Sequence, residues 1–333
     1  MGQSWIFGLF CVTLVTLVTR VTRVTLVTFP HSCDFPQMTS LRAKIHAGQF
    51  VVTTELTPPK GIDLSDIYAS ADALKDVVDG INLTESPRAR MAIEPTAVAR
   101  LLIERGVEPI VQFTARDRNR IALQSDILGA AALGIRNVVF MTGDNPKHGD
   151  HPDAKPVFDL QTAQMIAAAR SLTRGRDLAG NELKGAPDLF IGATANPGAD
   201  NLSLEVENSR GKIDAGAQFF QTQALYDTAL LLRYVEALRD DGVALLVGII
   251  PLKSAKMARW LNANVPGIRV PEALIAEMDA VAADTNAELR LGIDTAARII
   301  REVRPYCAGV HLMTMGWEKH IPAILRASGI RER

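Results

Sequence analysis

The chain has little of what a metal centre, a disulfide scaffold or a nucleic-acid surface requires. It carries three cysteines in 333 residues. Cys11, Cys33 and Cys307 form neither a disulfide framework nor a metal-ligand spacing, which points to a reducing compartment, expected to be the cytoplasm. The six histidines make no HxH or HExxH pattern, so no metal is expected. Lysine and arginine (36) nearly balance aspartate and glutamate (37), leaving a net charge of −1 and no field for a polyanion. No nucleic-acid partner is expected. Aromatic residues are sparse at 5%, and the tryptophans and tyrosines form no stacking platform. Long apolar runs are missing too. The run from Trp5 to Thr19 falls short of the roughly 20 residues a membrane span needs, Arg20 and Arg23 break the apolar character beyond it, and no positive charge precedes it as in a secretory signal.

What is present divides in two. Residues 12–28 read VTLVTLVTRVTRVTLVT, a period of three that suits neither a strand (two) nor a helix (3.6). Residues 1–37 are therefore expected to be a repetitive tail outside the fold, with a membrane anchor or targeting peptide as the competing reading. Residues 38–333 are expected to form one domain. There, short β-branched runs alternate with helical patterns, the mark of βα units around a parallel sheet. The expected strands are 50–56, 80–84, 109–114, 137–142, 189–194, 218–223, 244–250 and 309–314. Several, such as IRNVVFMT and VALLVGII, are apolar almost throughout, as strands covered on both faces are. Helices are expected over 64–74, 93–105, 120–133 and 160–172, with two more between 271 and 303, and Gly106 and Gly134 are placed to end two of them. Eight such units predict an α/β fold, a closed (β/α)8 TIM barrel. The open-sheet alternative lacks a GxGxxG after its first strand.

In a barrel, function is sought at the C-terminal ends of the strands. Glu55, in TTELTPPKG, ends the first strand, and partial burial there would make it a usable acid. A carboxylate merely bound to a neighbouring amide or lysine is the plainer reading. Asp144 follows strand four in FMTGDNP, where Gly143 allows close approach of a ligand, though the same residues make ordinary turns. Gln223 closes strand six and can both donate to and accept from a heterocycle edge. Lys212, on the helix before that strand, could meet a phosphate. His311, in VHLMT, reads as a hydrogen-bonded core residue.

TELTPPKG, INLTESP, VQFTARD, VVFMTGDNP, IGATANPGA, KIDAGAQFFQTQALYD, LLVGIIPLKSAK and GVHLMTMGWEKH, in this order and spacing, resemble the methylenetetrahydrofolate reductase family from Met38 to the C-terminus. The resemblance implies a bacterial, catalytic-domain-only barrel. It would hold FAD and reduce 5,10-methylenetetrahydrofolate to 5-methyltetrahydrofolate with NADH or NADPH, as a homo-oligomer. It implies catalytic roles for Glu55 (proton donor to the folate), Asp144 and Gln223. Thr84, Gln112, Thr142, Gly143, Asp144, Ala193, Ala199, Glu205, Asn208 and Lys212 would contact the cofactor. Asp144, Gln223, Met257, Leu261 and Trp317 would contact substrate. Three departures stand out. Gln112 replaces a flavin-contacting histidine of some relatives, IGATANPGA lacks the tyrosine and histidine of a longer loop, and Trp317 replaces a folate-contacting arginine. The alternatives are another barrel enzyme acting on a pterin or phosphate substrate, and a flavin-free or non-catalytic barrel subunit of a redox complex. A Schiff-base aldolase is disfavoured, since no expected strand has an interior lysine.

Overall fold

Short β-branched runs punctuated by glycine and helix caps produce eight parallel strands. The computed structural model describes residues 40–331. The expected tail, residues 1–37, lies outside the described residues. The strands are β1 Val51–Leu56, β2 Gly80–Leu83, β3 Pro109–Thr114, β4 Asn137–Met141, β5 Phe190–Ala195, β6 Phe219–Ala224, β7 Ala244–Ile249 and β8 Gly309–Leu312. They pair in sequence order, and β8 pairs with β1, closing the barrel. Each lies within two residues of its expected bounds at either end.

The helices are α1 Leu41–His46, α2 Ser65–Leu74, α3 Pro95–Ile103, α4 Arg120–Ala132, α5 Thr162–Thr173, α6 Leu202–Ala215, α7 Thr228–Ala237, α8 Ala255–Asn264, α9 Glu272–Ala280, α10 Thr285–Val303 and α11 Ile321–Ser328. Side-chain caps start many of them. Asn119 Oδ1 accepts the amides of Ile121 and Ala122 at 3.0 Å, and Asp284 serves α10 in the same way. Gly106 and Gly134 end α3 and α4 with φ of +80° and +91°, a conformation in which a side chain would be strained. No described helix is long and apolar enough to cross a membrane.

The two-residue alternation of each strand sorts its side chains between two cores. Val52, Leu56, Ile81, Leu83, Val111, Phe113, Phe140, Val247 and Val310 face outward into the layer beneath the helices. Val51, Ile110, Val139, Phe190, Phe219 and Leu246 face inward and plug the N-terminal end of the barrel. Leu41 of α1 completes this plug. α1 has six residues and no expected counterpart, because so short a helix shows no full hydrophobic period. It is anchored by long-range bonds: the Leu41 amide donates to Glu108 Oε1 at 3.0 Å, and Lys44 Nζ pairs with buried Asp79 at 2.7 Å.

Inside the plug, Phe190 stacks on Phe219 at 4.7 Å, and Gly192 leaves the room for that ring. A Cβ at Gly192 would lie 2.3 Å from Phe219. Gly192→Ala is therefore expected to cost about 1–3 kcal/mol of stability through overpacking. This would be read as a lower urea midpoint at unchanged slope; an unchanged midpoint would contradict the packing described.

Candidate active site

Among the described residues, two cavities open on the C-terminal rim. The first, of about 880 Å³, opens beside Glu55 and is lined by the Thr57–Lys60 turn, by Pro87, Arg88 and residues 90–92 of the loop after β2, and by Met313, Met315 and Gly316 after β8. β1 sends Thr53 and Glu55 inward while Val52 and Leu56 face the helices. The Glu55 side chain is 22% exposed, and its Oε2 lies 3.7 Å from Nε2 of buried His311. Beneath this pair runs a buried polar layer. His311 Nδ1 is 3.0 Å from Thr53 Oγ1, and Asn82 and Gln221 bond to one another at 2.6 and 2.9 Å. His311 is thus the hydrogen-bonded interior residue expected, and it also touches the proposed acid.

The second cavity, of about 600 Å³, lies over the ends of β3, β4 and β5. Thr142, Gln161, Thr162, Thr194, Asn208 and Lys212 are among the residues lining it. Lys212 Nζ donates to the Thr194 carbonyl at 2.9 Å. Burial pulls its pKa below the usual lysine value, while the Glu205 carboxylate opposes that. Gln161, Thr162 and Ala163, at the amino end of α5, line the same space, so a cation and the positive end of a helix dipole lie on one cavity, an arrangement suited to a phosphate. Glu205 does not line this cavity. It accepts the Asn196 amide at 2.8 Å and holds the turn between β5 and α6.

Between the cavities, the loops after β2 and β4 lock together. Asp144 Oδ2 accepts the Arg88 amide at 2.7 Å, and buried Arg116 reaches the carbonyls of Ser86 at 3.2 Å and Asp144 at 3.5 Å. Ser86, Arg88 and Ala89 have φ of 41°, 58° and 53°, a strained run without glycine. Gly143 has φ of +85°, and a Cβ there would meet Thr114 at 2.9 Å, so both conformation and space demand glycine. Gln223 sits where the β6–β7 register slips between Gln221 and Ala224. Its Oε1 accepts the Ala224 amide at 3.0 Å.

Not every expected site residue reaches a cavity. Ala193 is fully buried and faces the helix layer, because it is an outward position of β5. Leu261 is 1% exposed within the same layer, on the inner face of α8. Both side chains pack into the outer core, away from the two cavities. Trp317 lies against α10, where Gly292 leaves space for its ring, and stacks edge-on with His320 at 5.1 Å. It lines neither cavity, nor do Asp144 and Gln223. Met257 is half-buried against the outer core. Gln112 is 8% exposed and Thr84 5%, and Thr84 Oγ1 donates to Thr57 Oγ1 at 3.2 Å. Ala199 is half-buried at the start of the β5–α6 connection.

Sequence reasoning gave no role to Asn82, Gln221 or the Glu85–Arg118 pair. The available signal was polar residues at inward strand positions: 53 and 55, 82 and 84, 221 and 223. Among the described residues, no group of three or more His, Cys, Asp or Glu is placed to hold a metal ion.

Residues 40–329 match the family described as methylenetetrahydrofolate reductase. The chain belongs to that family. It is similar to the 5,10-methylenetetrahydrofolate reductase of Pectobacterium carotovorum subsp. carotovorum, with 24% identity over 85% of this chain and 92% of the relative. It is also similar to a probable methylenetetrahydrofolate reductase (NADPH) of Caenorhabditis elegans, 22% identical over 68% of this chain, and that match spans a third of the relative's length. Among solved structures it resembles an uncharacterized protein from Clostridium thermocellum that binds two copies of 5-methyl-5,6,7,8-tetrahydrofolic acid. The TM-score is 0.57, with 16% identity over 87% of this chain and 98% of the other, a likeness of fold.

At the rim, Glu85 is buried and bound by Arg118 through both oxygens at 2.6 and 2.8 Å, and it also accepts the Thr114 amide. Burial works against the Arg118 charge, but Glu85 and Asp126 outweigh it and raise the guanidinium above its ordinary value. Arg118→Met would leave the Glu85 carboxylate buried and unpaired, at an expected cost of about 3–5 kcal/mol in chemical denaturation. The same change at exposed Arg176, paired with Glu182, is expected to cost less than about 1 kcal/mol. Equal losses would contradict the difference in burial between the two pairs.

Proposed function

We propose that this chain reduces 5,10-methylenetetrahydrofolate to 5-methyltetrahydrofolate with NADH or NADPH as co-substrate, that FAD is its resident cofactor, and that it works in the cytoplasm as a homo-oligomer. The observation that carries the reading is Glu55: a half-buried carboxylate at the end of the first strand, in a large cavity, beside a buried imidazole. The folate methylene bridge must open at N10 before it can be reduced, and that nitrogen leaves well only once protonated. Glu55 delivers this proton as the carbon–N10 bond breaks, leaving an iminium at N5 whose methylene carbon takes up hydride. Asp144, with one oxygen held by Arg88, keeps the other for the donors of the pterin ring. Gln223 binds the heterocycle edge from the opposite side of the rim.

The chemistry of the second cavity fits the phosphate end of the flavin. Lys212 and the amino end of α5 would hold the diphosphate, while Thr142, Thr194 and Asn208 would meet the polyol. When bound, the flavin carries hydride between nicotinamide and folate. A second reading, direct hydride transfer without flavin, is favoured by one feature: buried Gln112 stands where a flavin-contacting histidine would be expected. The purified protein decides between them. Yellow protein bleached by NADH and reoxidised by methylenetetrahydrofolate supports the first reading, and colourless active protein the second.

Glu55→Gln is expected to leave reduction of the flavin by NADH within about twofold and to slow the folate half-reaction by about 10²–10⁴-fold. Equal loss in both half-reactions would refute the proton-donor role. Lys212→Met is expected to weaken FAD binding by about 10–100-fold in a fluorescence titration, the loss of one charge-assisted hydrogen bond. Undiminished affinity would remove Lys212 from the cofactor site.

A further inference from the structure

Asn82 and Gln221 come from β2 and β6, opposite each other in the eight-stranded ring, and meet inside it. Asn82 Nδ2 donates to Gln221 Oε1 at 2.6 Å, and Gln221 Nε2 donates to Asn82 Oδ1 at 2.9 Å. The exchange couples the two amides, because turning either one alone would set oxygen against oxygen and NH2 against NH2. In this arrangement the Gln221 nitrogen faces β8. It lies 3.4 Å from His311 Nδ1 and 3.5 Å from Thr53 Oγ1. An amide nitrogen only donates. His311 Nδ1 therefore faces one obligate donor and one hydroxyl, Thr53 Oγ1 at 3.0 Å, which can donate to it or, with its own hydrogen on the Val310 carbonyl at 3.3 Å, accept from it; the Gln221 nitrogen can only donate. The site favours a lone pair at Nδ1 and the imidazole proton on Nε2, the atom 3.7 Å from Glu55 Oε2.

We propose that Asn82 and Gln221 are positioning residues: their amide pair favours His311 as the neutral Nε2–H tautomer, which turns an N–H rather than a full charge toward Glu55 Oε2, 3.7 Å away. The distinction matters to the reaction. A doubly protonated His311 would hold Glu55 as the carboxylate, and a carboxylate has no proton to give N10. The opposite tautomer would turn a lone pair toward Glu55, repelling the carboxylate that each proton transfer leaves behind and so opposing the transfer. All four members of the layer are buried, so no water is at hand to replace a lost partner. The catalytic part of this inference rests on Glu55 being the proton donor; the tautomer preference does not.

The test combines a spectroscopic signature with a split between half-reactions, both on the flavin-loaded protein. Nitrogen-15 spectra of labelled histidine, with His311 assigned by its loss in His311→Asn, are expected to show a neutral ring protonated at Nε2. Gln221→Glu puts acceptor oxygens against Nδ1 and is expected to move the proton there or add a second one. It should slow the folate half-reaction at least tenfold in kcat, with KM and flavin reduction by NADH within twofold. Gln221→Met, uncharged and of similar length, serves if the buried carboxylate prevents folding. It removes the donor and is expected to give mixed tautomers and the same split. The inference is overturned if the His311 signals are the same in wild type and both variants, if the tautomer moves with no change in the folate step, or if both half-reactions fall together. A wild-type protein that does not turn over methylenetetrahydrofolate overturns the proposed function and the catalytic part with it, and the nitrogen signals then still decide the tautomer preference.

Discussion

Ring closure of eight parallel strands is the constraint on which the rest depends. Each strand can send only about three side chains into the barrel, and those positions have no access to solvent except at the ends. In this chain the three levels differ in chemistry. The lowest is apolar and sealed by Phe190, Phe219 and Leu41. The middle is polar, and its members bond to one another: Thr53, Asn82, Gln221 and His311. The upper level carries Glu55 and Gln223 at the rim. A buried polar group without a partner costs about 1–3 kcal/mol, so the middle layer is tolerable only because it is mutually satisfied. That requirement couples the interior to the rim, because the imidazole that completes the layer is also the neighbour of Glu55.

The rim is divided by the locked loops after β2 and β4. On the β1–β8 side lies the cavity of the acid. On the β4–β5 side lies the cavity of Lys212 and the amino end of α5. The partition is held by close backbone approach and buried charge. A Cβ on Gly149 would lie 1.9 Å from the Ala89 carbonyl, and Arg116 ties the two loops through their carbonyl oxygens. Glu85 and Arg118 form the foundation under one side. Under the proposed function, this partition separates the proton donor Glu55 from the corner where Lys212 and the amino end of α5 would meet the cofactor's phosphates.

Much of the fold was legible because its signals are local. Apolar, β-branched runs such as VALLVGII become strands almost wherever they occur between helices, and asparagine, aspartate and glycine mark the helix ends through bonds to their own backbone. α1 was not legible: six residues hold no full period, and its anchors at Glu108 and Asp79 are far away in sequence. The site was legible in part. Glu55, Thr142, Asn208 and Lys212 line the two cavities, whereas Ala193 and Leu261 sit in matching motifs but face the helix layer. A motif shows that a residue is near a site in the chain; the parity of its strand position or the face of its helix decides where the side chain goes. The polar middle layer escaped because a lone Asn or Gln in a strand means little until its partner across the ring is known.

The sequence by itself determined that eight βα units succeed one another, that a glutamate ends the first strand and that a lysine precedes the sixth, since pattern, caps and residue order are properties of the chain alone. Only the tertiary structure decided that Thr53, Asn82, Gln221 and His311 form one layer beneath that glutamate. Their contacts span up to 258 residues of chain, and nothing short of closing β8 onto β1 brings them within hydrogen-bonding distance.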